Sequence, residues 1–249
     1  MLINLYNNLG EEINLTSLGL VGLKLKIPSP SYRREIEKLD GRPGVVVIEN
    51  ILDSRPLVAS FMVTADNYDD SLKSRDRLYG LIGNGQTFYV AEARQPTKRW
   101  KVYADGWAPE RINVRTSIFD VPLLSESGTS ESISIIEKIY DTSTFSFKNE
   151  GNILIDPRIH TETEILFTGA STNLIIRNLT AGDEWSWAGS TVDGDTITLK
   201  GVRSLKNGVS IFGQTNKKLI TTDPGWNDFE IVGATGVFEL TIKTRFYFL

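Results

Sequence analysis

The chain has 249 residues, with 27 lysines and arginines, 31 aspartates and glutamates, a formal net charge of -4, one histidine and no cysteine. The lack of cysteine excludes zinc fingers, disulfide scaffolds, iron–sulfur sites and thiol nucleophiles. The acidic balance disfavours a nucleic-acid binder, whose affinity comes from clustered basic side chains. The first residues lack the basic and apolar segments of a signal peptide, and no apolar stretch reaches the ~20 residues that span a bilayer. We expect a soluble cytoplasmic product without membrane insertion.

The first half is predicted to consist mainly of β-strands. One face of residues 57–63 is apolar with period two, and residues 112–118 repeat this alternation through Ile112, Val114 and Ile118. Further strands are predicted at residues 44–50, 86–94 and 98–104.

One segment departs from the β pattern, because its apolar residues follow the spacing of an α-helix. These residues are Tyr68, Leu72, Tyr79 and Ile82. Asp66 or Asn67 can cap the start of this helix, and Gly83 or Gly85 suits the left-handed position at its end.

A polar, Ser-rich stretch at residues 125–134 is typical of a linker. We place the domain boundary at residue 142, which divides the chain into domains of residues 1–142 and 143–249. Residues 131–141 fit either a short helix or a strand. Beyond the boundary, short alternating runs recur between glycine turns, as in a β-sandwich. The predicted fold class is mostly β, all-β with one helix.

The search for catalytic chemistry finds little. His160 is the only imidazole, and it lies in a loop-like segment without a nucleophile elbow. The glycines at 80, 83 and 85 lack the Lys-Ser/Thr of a phosphate loop and suit the end of a helix. We expect no catalytic residues, no cofactor and no metal, although a pair of carboxylates among 31 acids cannot be chosen or rejected by counting.

Two tryptophans, Trp185 and Trp187, stand at period two and share one side if their segment is a strand. Asp183 and Glu184 are adjacent and can accept hydrogen bonds from hydroxyl groups. The pair is a candidate sugar-binding face, since lectins stack aromatic rings on sugars. Packing in the core or against another subunit is the simpler interpretation.

The order of these elements resembles that of the distal tail proteins of siphophages that infect Gram-positive bacteria. The segments that carry the resemblance in the first half read DGRPGVVVIEN, SRPLVASFMV, DDSLKSRDRLYGLIG and INVRTSIFDVPLL. In the second half they are an Asn-x-Gly segment at 149–151, a PGWN turn at 224–227 and the final RFYFL strand. The likeness covers essentially the whole chain.

The resemblance implies a structural protein. Its N-terminal belt domain would combine a β-sandwich, a helix and a hairpin and would form a hexameric ring at the virion tail tip. A galectin-like, jelly-roll type β-sandwich would lie outside that ring. The implied partners are the tail tube protein, the tail-tip protein and the receptor-binding protein, with assembly in the host cytoplasm. DNA would pass through the ring without specific binding. The spaced His, Asn and Arg of galectins are not reproduced, since His160, Asn173 and Arg177 are scattered.

Four residues are candidates for ring or partner contacts. Arg75 and Arg77 lie on the predicted helix, and Asp105 and Trp107 lie near the tip of a predicted hairpin. A solvated helix face explains the two arginines equally well. Two other functions stay open: a carbohydrate-binding β-sandwich that aids attachment to the host cell wall, and an accessory module of a wall-degrading enzyme.

Overall fold

The structure is a computed structural model that describes residues 2–113 and 115–249. The chain divides into two compact units, one ending at Glu131 and including Leu249, the other spanning Ser132–Phe248. The described residues form antiparallel sheets and one α-helix. The predicted mostly-β fold with one helix is therefore confirmed.

In the first unit, β-strands both precede and follow the helix in the sequence. In chain order the elements are β1 (Ile3–Tyr6), β2 (Glu12–Ile13), a 3₁₀ turn (Thr16–Leu18), β3 (Leu20–Lys26), β4 (Tyr32–Glu37), β5 (Val46–Leu52), β6 (Arg55–Thr64), α1 (Tyr68–Ile82), β7 (Phe88–Glu92), β8 (Lys98–Ala104), β9 (Glu110–Arg111) and β10 (Thr116–Ser125). A short strand, β11 (Ser130–Ser132), follows at the division between the units.

The main sheet of the first unit has the strand order β2-β1-β7-β8-β10-β6-β3, with β9 also paired to β10. β6 and β10 pair from Thr64↔Thr116 to Arg55↔Ser125 without a register shift. Alternate residues of both strands point into one core, as the period-two pattern of β6 predicted. The core residues of these two strands are Leu57, Ala59, Phe61, Val63, Phe119, Val121 and Leu123.

The helix begins at a capping residue that the sequence named. The side chain of Asn67 accepts a hydrogen bond from the Asp70 N–H at 2.9 Å, and Gly83 closes the helix with an N–H bond to the Tyr79 carbonyl. Leu78 and Ile82 are the buried residues that fix α1 to the core.

Two local predictions in the first unit are wrong. Residues 112–118 are not one strand, because Asn113 accepts hydrogen bonds from the N–H groups of Arg115 and Thr116 and forms a turn between β9 and β10. Ile112 is exposed, and Val114 lies outside the described residues. The hairpin expected around residues 103–106 is absent from the described pairings, since β8 pairs with β7 and β10 and β9 pairs with β10.

The second unit consists of β-strands and one short 3₁₀ turn among its described residues. The elements are β12 (Ile136–Tyr140), β13 (Thr144–Asn149), β14 (Glu164–Asn178), β15 (Asp183–Ser186), β16 (Ser190–Thr191), β17 (Thr196–Lys200), β18 (Arg203–Lys206), β19 (Val209–Ser210), the 3₁₀ turn (Phe212–Gln214), β20 (Gly225–Thr244) and β21 (Tyr247–Phe248).

Two long strands organise this unit. β14 and β20 pair along their lengths, with register shifts between Gly169 and Ser171 and between Ser171 and Ile175. The first half of β14 also pairs with β17, and its second half pairs with β15 and β16. Inward residues from both halves of β14 and β20 join a single core.

The only histidine of the sequence packs against this core. The imidazole of His160 is buried, stacks on the ring of Tyr247 at 3.7 Å, and accepts a hydrogen bond at Nδ1 from the Asp156 N–H at 3.1 Å. Burial lowers the pKa of His160 from its ordinary 6.5, and the nearby Asp156 carboxylate opposes that shift in part. His160 is therefore a neutral packing residue at neutral pH.

Acidification should destabilise the second unit through His160. The unfolded chain binds a proton at His160 that the buried neutral ring does not, so the free energy of unfolding should fall as the pH drops below 6.5. Urea unfolding at about pH 7 and about pH 5.5 measures the difference. His160→Phe should remove most of this dependence. Equal stability of the wild-type chain at both pH values would contradict this account.

Candidate interaction surface

The two-stranded sheet of β4 and β5 is the most exposed apolar element of the first unit. Its strands pair with each other, and Ile36 faces Val47 across the hairpin. Nearly every side chain of the hairpin is exposed, and Ile48 keeps 57% of its surface accessible. The large exposed apolar residues are Tyr32, Ile36, Leu39, Val45, Val47, Ile48 and Ile51. Such a concentration of exposed apolar residues on one element makes the hairpin a candidate interaction site.

The hairpin also carries an unfavourable pair of charges. Glu35 and Glu49 are direct register partners on β4 and β5, and both are exposed. Like charges directly opposite in an antiparallel pair destabilise it. Arg33 and Arg34 lie next to this pair on β4 and are also exposed, so the hairpin presents charges of both signs among its apolar side chains.

A second surface lies beside α1, where a cavity of about 310 Å³ opens between the helix and the segment after β8. The ring of Trp107 forms one wall, lying 4.7 Å from the ring of Tyr79 and 4.9 Å from that of Phe119. The contacts with Tyr79 and Phe119 fix the indole of Trp107, so rigid aromatic groups line the cavity.

Two guanidinium groups border this cavity. Arg111 lies over the ring of Tyr68 at 4.5 Å, and its Nε donates to the Asn113 carbonyl at 3.2 Å. Arg75 forms an ion pair with Asp76 at 2.7 Å, and the hydrogen bond to that carboxylate raises the pKa of Arg75. Asp76 balances the charge of Arg75, so the α1 cavity presents aromatic faces beside the guanidinium group of Arg111, and it can accept an apolar side chain.

The structure brings together two of the four residues that the sequence selected. Arg75 and Trp107 line the α1 cavity. Arg77 is exposed on the helix, and Asp105 is exposed while its N–H bonds the Pro122 carbonyl. Arg111 was not predicted from the sequence, because its position beside α1 depends on the turn between β9 and β10. Residues 44–50 were predicted only as a strand, and the exposure of the β4–β5 hairpin was not predicted.

The candidate sugar face at Trp185 and Trp187 is not formed. Both indoles are buried in the core of the second unit, with exposures of 1% and 5%. Their Nε1 groups donate to Ser204 Oγ at 3.1 Å and to Gln214 Oε1 at 3.2 Å. The two indoles lie on the same side as predicted, but that side faces the core, so protein atoms cover both rings.

Within residues 2–113 and 115–249, no group of three His, Cys, Asp or Glu side chains is arranged to hold a metal ion. No helix in the described part of the chain is long and apolar enough to cross a membrane.

Comparison with known proteins gives one family and several similar folds. Residues 8–125 match the family model of the phage tail protein RIFT-related domain. The fold is similar to the crystal structure of Dit (gp 19.1) of phage SPP1, described as a paradigm of the hub adsorption apparatus in phages that infect Gram-positive bacteria. That match has a TM-score of 0.77 at 13% identity and covers 99% of this chain and 100% of Dit.

Chains of the phage p2 baseplate in its activated conformation are also similar. The form with Sr gives a TM-score of 0.50 at 7% identity, with 96% of this chain and 97% of that chain covered. The form with Ca gives 0.50 at 9%, with 98% and 97% covered. No curated protein sequence matches the chain. Residues 8–125 thus match the model of a phage tail protein domain, and the predicted resemblance to distal tail proteins is confirmed.

The burial of the two tryptophans leads to a stability prediction. Trp185→Ala should lower the free energy of unfolding by about 3–5 kcal/mol, because it removes a fully buried indole and leaves a cavity. Trp226→Ala is the matched control, since Trp226 is 63% exposed, and it should change stability by about 0.5 kcal/mol or less. Urea denaturation followed by circular dichroism measures both. A Trp185→Ala protein as stable as the wild type would show that the indole lies outside the core.

Proposed function

We propose that this chain is a structural distal tail protein that forms the hub of a phage tail tip. The observation that carries the proposal is the likeness to SPP1 Dit across both units, with the phage tail domain at residues 8–125 as further support. In this role the chain binds other proteins and catalyses no reaction. Its partners are the tail tube protein, the tail-tip protein and the receptor-binding protein.

The hub is a ring of six copies, as the resemblance to distal tail proteins implies. The N-terminal domain, residues 1–142, forms the ring, and the galectin-like domain, residues 143–249, lies outside it. DNA passes through the central channel. A net charge of -4 suits such a channel, because a strongly basic wall would hold DNA through its phosphates.

The two surfaces of the first unit support a head-to-tail ring. A heterologous interface needs two different patches on one chain, and repeated contacts close into a ring when the rotation allows it. The β4–β5 hairpin offers exposed apolar side chains, among them Ile36, Val47 and Ile48. The α1 cavity offers aromatic walls and the guanidinium groups of Arg75 and Arg111. The hairpin of one copy therefore binds the α1 cavity of the next copy.

The mass of the purified protein tests the ring. Light scattering should give six times the 27.8 kDa mass of one chain. Ile48→Glu should dissociate the assembly, because it places a charge in the apolar contact. Val237→Glu is the matched control, since Val237 is 90% exposed and lies in the second unit, and it should leave the mass unchanged. A wild-type protein that stays monomeric at every concentration, also with tail-tip partners present, would contradict the ring.

A mixing experiment tests the head-to-tail geometry. Ile48→Glu should disable the hairpin and Arg111→Glu should disable the α1 cavity, so each variant alone should be monomeric. A mixture of the two keeps one intact hairpin and one intact cavity, and it should form a complex of two chains. Native mass spectrometry identifies that species. If the mixture stays monomeric while each variant is folded, the hairpin does not bind the α1 cavity.

A further inference from the structure

The second unit holds a large aromatic side chain, Trp226, outside its core. Trp226 lies near the start of β20 and keeps 63% of its surface exposed. Its register partner on β13 is Lys148, whose Nζ lies 5.8 Å from the centre of the indole ring. The remaining face of the indole is available to a ligand.

Trp226 forms a wall of a cleft of about 400 Å³, the size of sites that hold small ligands. The buried rings of Phe147 and Phe246 line the cleft and are packed 6.1 Å apart. Tyr140 lies at its side, fixed by stacking on Phe145 at 3.8 Å. These contacts give the cleft an aromatic lining that exists before any ligand binds.

The rim of the cleft is polar and carries more positive than negative charge. Lys138, Lys148 and Glu150 all line it. The Nζ of Lys148 is 4.0 Å from Glu150 Oε1, at the limit of an ion pair, and both side chains are largely exposed. Burial raises the pKa of Tyr140, and its hydroxyl donates a hydrogen bond to the Ser146 carbonyl at 3.3 Å. Amino, carboxylate and hydroxyl groups therefore surround a single exposed indole.

We propose that this cleft binds a saccharide with an acidic substituent, whose pyranose ring stacks on Trp226 while Lys138 and Lys148 hold the acidic group. A protein partner fits less well, because a protein interface joins several apolar side chains in one patch, as on the β4–β5 hairpin, and here polar groups border one ring. A sugar has that pattern of an apolar C–H face edged by oxygen atoms. The site is independent of the ring and adds recognition of a glycan to the second unit.

Ligand-observed NMR titration of the full chain tests the site without relying on tryptophan signals. The probes are a disaccharide of glucuronic acid and N-acetylglucosamine, and neutral N,N′-diacetylchitobiose. We expect saturable binding of the acidic disaccharide, weaker binding of the neutral one, and a loss of about tenfold or more in affinity, or ~1.4 kcal/mol, in Trp226→Ala. Trp226→Phe should restore part of that loss, and Lys138→Gln should weaken only the acidic disaccharide.

Phe212→Ala is the matched control, because Phe212 is an exposed aromatic residue of the same unit outside the cleft. It should leave binding unchanged. The proposal is overturned if the acidic disaccharide does not saturate by about 10 mM, or if Trp226→Ala binds it as the wild type does. Equal affinity for both disaccharides overturns the role of the lysines. A change in assembly mass in Trp226→Ala would assign the cleft to a protein contact instead.

Discussion

The first unit depends on the position of β6 inside its sheet. β6 pairs with β10 along one edge and with β3 along the other, so the hydrogen-bonding groups of both edges are occupied. The chain that connects β3 to β6 cannot add to β6, and it folds into the separate β4–β5 hairpin. A lone two-stranded sheet has no layer that can bury its side chains. Its apolar residues consequently remain available for another molecule.

The two units differ in which of their apolar side chains remain exposed. In the second unit, the bent pair β14 and β20 covers one core with inward residues from both of its halves, including Trp185. Its exposed indole, Trp226, is bordered by Lys138, Lys148 and Glu150. In the first unit, exposed apolar residues are concentrated on the β4–β5 hairpin, and the aromatic α1 cavity lies on the same chain. The proposed roles follow from this contrast: subunit contact in the first unit and ligand recognition in the second.

The sequence predicted correctly those features that depend only on neighbouring residues. The alternation of β6 and the capping of α1 by Asn67 both follow from neighbouring residues. The pair Trp185 and Trp187 shares a side as predicted, but period two cannot tell an inward side from an outward one. The run at residues 45–48 has the composition of a buried strand, and its exposure depends on strands that occupy β6 from elsewhere in the chain. Arg111 and Tyr68 are distant in sequence, so their contact depended on the fold.

Hydrogen exchange of the β4–β5 hairpin tests most directly whether a neighbouring copy covers it. Exchange of residues 32–52 is measured by mass spectrometry at a concentration where the protein is assembled and again after dilution to single chains. We expect slow exchange in the assembly and fast exchange in the single chain, while strands β6 and β10 stay protected in both. Equally fast exchange of the hairpin in the assembled protein would contradict the account, because the apolar hairpin would then be exposed in the very state that should bury it.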